Sequence, residues 1–517
     1  MNTSNHDPSP PPHTFAEKCL ILGAVCLAAL AMPLSFTGPA VALRAIGHDL
    51  GGSPIALNWV TNAFMLSFGS SLMAAGTLAD SYGRKRVFLI GVAMFGLCSL
   101  ALACAPDIVW FDLLRAAQGA ASAAALSGGM AALAQEFDGA ARTRAFSLIG
   151  TTFGVGLAFG PILAGVLIRA FDWHAVLLTV TATSVLALLT GARCMRESRD
   201  PQASGVDWAG AISFTGALSL LTYGVLQAPE NGWSDPLVIG LLLGAATLFA
   251  AFIAIERRAS RPMLDLSLFR YPRFVGVQFL AAAPAYAYVV LLVLLPIRFI
   301  GIEGHSEFEA GRMMVALSAP MLVVPMLAAY LTRWCAPGAI AGSGLLICAA
   351  GLFWLGHCPP GQGAAIVLPM LTIGFGISLP WGLMDGLAVS VVPTERAGMA
   401  TGIFNTTRVA GEGIALAVVG ALLAALTRTR LEAVIGLPQA DLGARLVSAA
   451  QRVATGDLGR AAAALPEVAA SVLVQSYGDA FSTLLNVLSA VTVVSALVVF
   501  GFLMPGTAQR LAGNPAA

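Results

Sequence analysis

Long apolar runs separated by short polar joints dominate the chain. A helix needs about 20 apolar residues to cross a bilayer. Fourteen runs reach that scale: 19–39, 55–79, 87–105, 109–134, 145–168, 174–194, 208–227, 236–256, 274–300, 311–331, 338–357, 364–391, 399–426 and 482–504. The pattern predicts an all-α polytopic membrane protein with fourteen transmembrane helices. One joint is long, the segment 427–481 before the last run, and its middle, DLGARLVSAAQRVATGDLGRAAAALPEVAASVL, reads as surface helices. The opening MNTSNHDPSPPPHTFAEK is polar and proline-rich, has no basic n-region and precedes a run too long for a signal peptide. Residues 1–18 are therefore expected to form a disordered tail, with a second tail at 505–517.

Composition agrees. Hydrophobic residues make up 57% of the chain and charged residues 11%, against about 25% charged in a soluble domain. Such a chain could not cover a soluble surface. A secreted disulfide scaffold, a disordered chain and a nucleic-acid-binding domain are excluded, and a net charge of +1 provides no field to attract nucleic acid. The only lysines are Lys18 and Lys85, and neither follows a glycine. The lysine of a phosphate-cradling GxxxxGK[ST] loop is thus missing. No nucleotide is expected to bind, and energy must come from an ion gradient, a partner ATPase or the substrate gradient. The eight cysteines form no CxxC pair and the six histidines show no ligand spacing, so neither a metal nor a cofactor is expected.

Basic residues orient the spans. Joints 2–3, 4–5, 6–7, 8–9, 10–11 and 12–13 hold about fifteen Lys/Arg, against four (Arg44, Arg169, Arg298, Arg312) in the short joints opposite and five in 427–481. Both termini are then expected in the cytosol, with 427–481 as a long extracytoplasmic loop. Trp59, Trp110, Trp173, Trp208, Trp334 and Trp354 lie at span ends, the headgroup level that tryptophan prefers. Trp381 lies inside a span.

Between spans 2 and 3 the chain reads GTLADSYGRKRV. Gly76 offers a small residue for close packing, Asp80 an acid at the helix exit, Gly83 a turn, and Arg84, Lys85 and Arg86 three cations. Positive-inside accounts for the cations but not for Asp80, which opposes the helix dipole unless something cationic or amide-rich meets it. This loop resembles the signature of the major facilitator superfamily. LLRAAQGAAS in span 4 is similar to that family's arginine motif, and GLAFGPILAG in span 5 to its antiporter motif. The stretches ERRASRPMLDLSLFRYPRF and ERAGMATGIFNTTRVAG resemble the fourteen-span drug:proton antiporter branch.

The resemblance implies two six-helix halves, 19–194 and 274–504, with two inserted spans and their flanking loops at 195–273. A faint repeat fits it: Arg144-Ala145 precedes Gly150 as Arg396-Ala397 precedes Gly402. The second-half counterpart of the signature, AYLTRWCAPG, has lost the acid. The family also implies that Asp80 latches one state by facing the start of span 13 near Thr394. In the antiporter motif Gly156, Gly160 and Ala164 repeat every four residues, which permits close helix contact. Pro161 breaks a hydrogen bond and marks a bending point, and Gly165 closes the motif.

Charges inside spans cost at least about 2.5–3.5 kcal/mol each on insertion scales. Glu412 lies in span 13 with Arg408 one turn before it, so an i,i+4 pair is available. Asp385 shares a span 12 face with Trp381, and Arg115 follows Asp112 by three residues in span 4. A structural pair that locks helices is the plainer reading of each. The resemblance instead assigns Glu412 and Arg115, with these partners, to proton coupling. Span 1 has Ser35 where the branch commonly carries an aspartate, and span 2 has Asn62 where some cation exporters of the branch carry an acid. Two negative charges are thus absent, which favours a neutral or weakly acidic cargo over a strictly cationic one.

The expected protein is an exporter of a small organic or toxic compound, driven by proton antiport through alternating access. Its cavity is lined by Ser35, Asn62, Trp381, Phe404 and Asn405. The expected setting is a bacterial-type cytoplasmic (inner) membrane, where it works as a monomer, a periplasmic adaptor being compatible. Its partners are cargo, protons and the lipid bilayer. A sugar or organic acid permease on the same fold is the alternative. A membrane sensor or enzyme lacks any supporting constellation in the chain.

Overall fold

A computed structural model describes residues 14–137, 139–199, 207–259, 264, 266–361, 365–391, 397–435 and 440–504. Among these residues there is no strand. The helices are α1 (Phe15–Asp49), α2 (Pro54–Tyr82), α3 (Arg84–Leu102), α4 (Ile108–Glu136), α5 (Gly139–Ala170), α6 (His174–Cys194), α7 (Trp208–Asn231), α8 (Pro236–Arg258), α9 (Pro272–Pro284), α10 (Val290–Pro296), α11 (Glu307–Ser318), α12 (Val324–Leu331), α13 (Pro337–Gly356), α14 (Val367–Ser390), α15 (Ala397–Ile435), α16 (Ala440–Ala454), α17 (Leu458–Ala464) and α18 (Ala470–Leu503).

Local chemistry starts several of them where the polar joints fall. Thr14 and Glu17 form a reciprocal capping box at α1, and Ser306 and Glu309 form another at α11. Ser53, Asp107 and Asp235 each accept a backbone N–H at the start of α2, α4 and α8, and Pro54 and Pro236 occupy first-turn positions that need no donor.

The helix ends gather on two faces. On the face where α1 begins, Lys18 Nζ donates to Glu136 O (2.7 Å), Arg84 Nη1 to Gln135 Oε1 (3.0 Å) and Lys85 Nζ to Ala192 O (2.9 Å). On the opposite face Trp173 Nε1 donates to Asp49 Oδ2 (2.8 Å), and Arg169 lies over the Phe308 ring (4.8 Å). Among the described residues eleven helices are long and apolar enough to cross a membrane, or twelve with the bent α5. The fourteen-span expectation adds α2 and α4. These carry Asn58, Asn62, Ser67 and Ser70, and Arg115, Gln118 and Ser122, and they pack side by side in the interior.

Several segments depart from the expected limits. The span expected at 274–300 is α9, a π-helical turn (Ala285–Val289), α10 and a second π-helical turn (Ile297–Ile302). Prolines 284 and 296 sit at the junctions, where a missing N–H loosens the regular ladder. The span expected at 311–331 breaks into α11 and α12 at Ala319–Leu322. In the long segment, α15 runs on to Ile435 and α18 begins at Ala470, so α16 and α17 are what remains between them. The inserted pair does not stand apart: α7 lies across α2 and α15, with Leu218 packed on Leu66 and Ala410.

Glycines set the closest helix approaches. A side chain on Gly91 would overlap the backbone of Ala124 and Ala125 in α4, and one on Gly69 the backbone of Val409 and Ala410 in α15. Gly76 has open space around it, so the close packing expected of it is not made. Gly91→Val should lower the thermal stability of the purified protein by about 1–3 kcal/mol through forced separation of α3 and α4. Gly23→Ala, in open space, should leave the melting temperature unchanged in the same fluorescence-detected melt.

Candidate functional site

Arg115 is the most completely enclosed charge in the first half. Its side chain is fully buried on α4. Nε donates to Val60 O (2.8 Å), and Nη1 donates to Ser35 Oγ (3.0 Å) and to Gln118 Oε1 (2.5 Å). The guanidinium stands 4.5 Å from the Phe64 ring centroid. Gln118 donates onward to Ser99 Oγ. The network ties α1, α2, α3 and α4 together through Nε and Nη1, while Nη2 is buried without a hydrogen-bond partner. Oδ1 of Asp112 is buried without a hydrogen-bond partner. The expected Arg115–Asp112 pair is therefore not made: Gln118 lies one turn the other way and takes the guanidinium. Ser35, expected on the cavity wall, serves as a partner of Arg115.

A second cluster forms where α14 and α15 meet. Arg408 Nη1 lies 3.5 Å from Asp385 Oδ1, and Nη2 donates to Asn405 Oδ1 (2.9 Å). The guanidinium stands 5.9 Å from the Trp381 ring and 5.6 Å from Phe404, within cation–π range. Tyr288, fully buried on the π-helical turn, is set edge-on to Trp381 at 6.3 Å. Four sequence-predicted residues, Trp381, Phe404, Asn405 and Asp385, thus surround one arginine. Half of the Asp385 side chain remains exposed.

Glu412 departs from expectation. It is 1% exposed, and both carboxylate oxygens are buried without a hydrogen-bond partner among the described residues. The i,i+4 pair with Arg408 is not made, because Arg408 turns to Asp385 on the neighbouring helix. One position along α15, a side chain on Gly413 would meet the backbone of Met65 and Leu66, which places Glu412 where α15 crosses α2. Asn62 is 3% exposed, gives Nδ2 to Asn58 O (2.9 Å) and leaves Oδ1 buried and unpartnered. It lines a pocket between α2, α10, α15 and α16.

In the signature loop Asp80 accepts two hydrogen bonds from Arg84, from Nε (3.1 Å) and Nη2 (2.9 Å). The cation that answers its position is thus four residues away on α3. Gly83 holds a φ of 118° beneath the Glu197 carboxylate. Glu197 accepts the backbone N–H groups of Lys85 and Arg86 (3.2 Å each), so α3 is capped from the end of α6. Thr394, the expected counterpart of Asp80, lies outside the described residues.

The antiporter motif packs as its spacing predicts on one side. Side chains on Gly156 and Gly160 would strike Leu30 O and Thr37 on α1. Gly165 approaches Glu307 O, and Pro161 O lies against Gly311, so the motif's far end touches α11 across the two halves. The two parts of α5, Leu148–Leu157 and Phe159–Ala170, meet at 45° just before Pro161.

Sequence reasoning missed Gln118, Tyr288 and Glu197. It also counted Arg298 as a loop cation, whereas Arg298 and Glu303 form a buried pair (2.7 Å; 2% and 3% exposed). Only Gln118 had a readable signal, its i+3 spacing from Arg115.

The Major Facilitator Superfamily description matches residues 23–416. Multidrug resistance protein Stp of Mycobacterium tuberculosis is 31% identical over 394 residues, 76% of this chain and 73% of that protein. The tetracenomycin C resistance and export protein of Streptomyces glaucescens is 29% identical, over 96% of this chain and 95% of its own. Among solved structures, a bacterial homologue of the human drug peptide transporters PepT1 and PepT2 superposes with a TM-score of 0.58 at 14% identity. It covers 96% of this chain and 99% of its own length.

The geometry gives one discriminating expectation. Asp385→Asn and Arg408→Gln should each impair function, and their effects should couple by about 0.5–3 kcal/mol in a double-mutant cycle. Arg408→Gln and Glu412→Gln, which share no hydrogen bond or ion pair, should couple more weakly than the first pair. Coupling confined to the second pair would contradict the structure.

Proposed function

The chain belongs to the major facilitator superfamily, and we propose that it is a secondary active exporter of small, largely neutral toxic compounds, driven by protons entering as cargo leaves. One observation carries the proton step: Glu412 is a carboxylic acid at the crossing of α2 and α15, with neither oxygen bonded. No hydrogen bond holds it in either protonation state. A change of access at the crossing can therefore load or release H+. The relatives, a multidrug resistance protein and a tetracenomycin C resistance and export protein, support export of toxic compounds over uptake of a metabolite.

Cargo enters from the face that carries both ends of the bundle, which the basic loops assign to the cytosol. It reaches Trp381, Phe404, Asn405 and Arg408 near the half-exposed Asp385. Protonation of Glu412 removes a charge from the crossing, so one packing of α2 on α15 is favoured over the other by the difference in their affinity for H+. The Arg115 network moves as a block with the first half, and α5 flexes at its bend before Pro161. The protein acts in a bacterial-type inner membrane, and one chain holds the whole pathway.

Cells carrying wild type should resist a panel of toxic compounds, and cells carrying Glu412→Gln should fall back to the level of cells without the protein. Resistance that survives the exchange would reduce Glu412 to a packing residue. Asp80→Asn should leave expression and melting unchanged while lowering the export rate, because it frees Arg84 from the acid it bonds without touching the bundle interior. An unchanged rate would remove the signature loop from the transport cycle.

A further inference from the structure

The segment between the last two long helices does more than join them. Arg445 on α16 donates to Ala464 O (2.9 Å) and to Glu467 (3.0 Å), and Asp457 caps α17, so α16 and α17 form one tied unit. Its buried face is Leu446, Ala449, Ala450 and Val453. The turn at its tip reaches the seam between the two halves. Gly456 adopts a φ of 82° and lies so close to Gly301 on the second π-helical turn that a side chain on Gly301 would overlap it. Thr455 lines two pockets, one shared with α2, α10 and α15, the other with α1 and the π-helical turn Ile297–Ile302.

The first of these pockets has no ionisable residue in its lining. Its polar groups are Asn58, Thr61 and Asn62 from α2, and Gln451 and Thr455 from the α16 unit; Val293 and Leu416 are typical of the rest. Gln451 is 7% exposed, an amide buried on a helix whose other inward residues are apolar. Asn62 faces it from the other half with Oδ1 unpartnered. A buried acceptor without a donor is unfavourable, and a ligand N–H or O–H that reaches it removes that penalty.

We propose that Asn62 and Gln451 form the polar end of a second pocket on the cargo path, separate from the Arg408 cluster, and select an uncharged, mostly apolar molecule carrying an amide, amine or hydroxyl N–H or O–H donor. The inference rests on the transport reading for its role but not for its geometry. Residues of α16, outside the bundle of long helices, then become determinants of specificity, and cargo is read jointly by the two halves and the connecting segment.

The test uses the full chain in lipid nanodiscs, with empty discs as background, and two dyes. N-Phenyl-1-naphthylamine is neutral with one N–H donor, and its N-methyl analogue has none. Wild type should bind the donor-bearing dye about tenfold more tightly. Asn62→Leu and Gln451→Met should bring the two affinities together, and a melting temperature matching wild type shows that each variant folds. Equal affinities in wild type, binding of neither dye, or a preference that survives both substitutions would overturn the proposal. A separate flux measurement in liposomes distinguishes the two readings: donor-selective binding without gradient-driven dye movement sinks the transport reading and leaves the site standing.

Discussion

A charge taken out of water must be met by bonds or by a counter-charge, and the two halves of this bundle answer that demand in opposite ways. Arg115 is met on Nε and Nη1, by Val60 O, Ser35 and Gln118, and by the face of Phe64, with Nη2 left without a partner. Glu412 has a hydrogen bond on neither oxygen among the described residues. Removing a bonding partner from a buried ion typically costs several kcal/mol, about 3–5, so the first site resists change. The second lacks bonds that would hold it in one protonation state. This asymmetry in bonding distinguishes the two charges more sharply than their positions in the chain do.

The packing around Glu412 gives the asymmetry mechanical meaning. Alpha-carbon contacts without side chains bring α2 against α15 at Gly69 and Gly413, and α5 against α11 at Gly165 and Gly311. Small residues at such crossings let backbones touch and part with little side-chain repacking. The α5–α11 contacts lie toward the opposite face, where Arg169 also covers Phe308. Asp385, near the other end of α14, stays half exposed. Closure on one side with access on the other is the geometry that two related halves use for alternating access.

Much of the fold was legible because insertion into lipid demands long apolar stretches, and these leave an unmistakable trace in the chain. The ends were less so: α15 and α18 extend well past the apolar runs that announced them, since amphipathic turns beyond the bilayer obey packing rather than hydropathy. The π-helical turns around Pro284 and Pro296 were silent for the same reason. Within the site, the sequence paired the ionisable residues by spacing along one helix. Arg408 chose Asp385 on α14 over Glu412 on its own helix, and Arg115 chose Gln118 over Asp112. Helix rotation and tertiary neighbours settle such choices, and no single-helix rule contains them.

The account turns on H+ gained and lost at an unbonded acid in an apolar seam. The most direct measurement is cargo flux through purified protein in sealed liposomes under an imposed pH difference, before and after an ionophore collapses it. The account predicts uphill cargo movement that stops when the difference is lost and that Glu412→Gln cannot couple to it. Uphill movement that continues unchanged without the pH difference would contradict it.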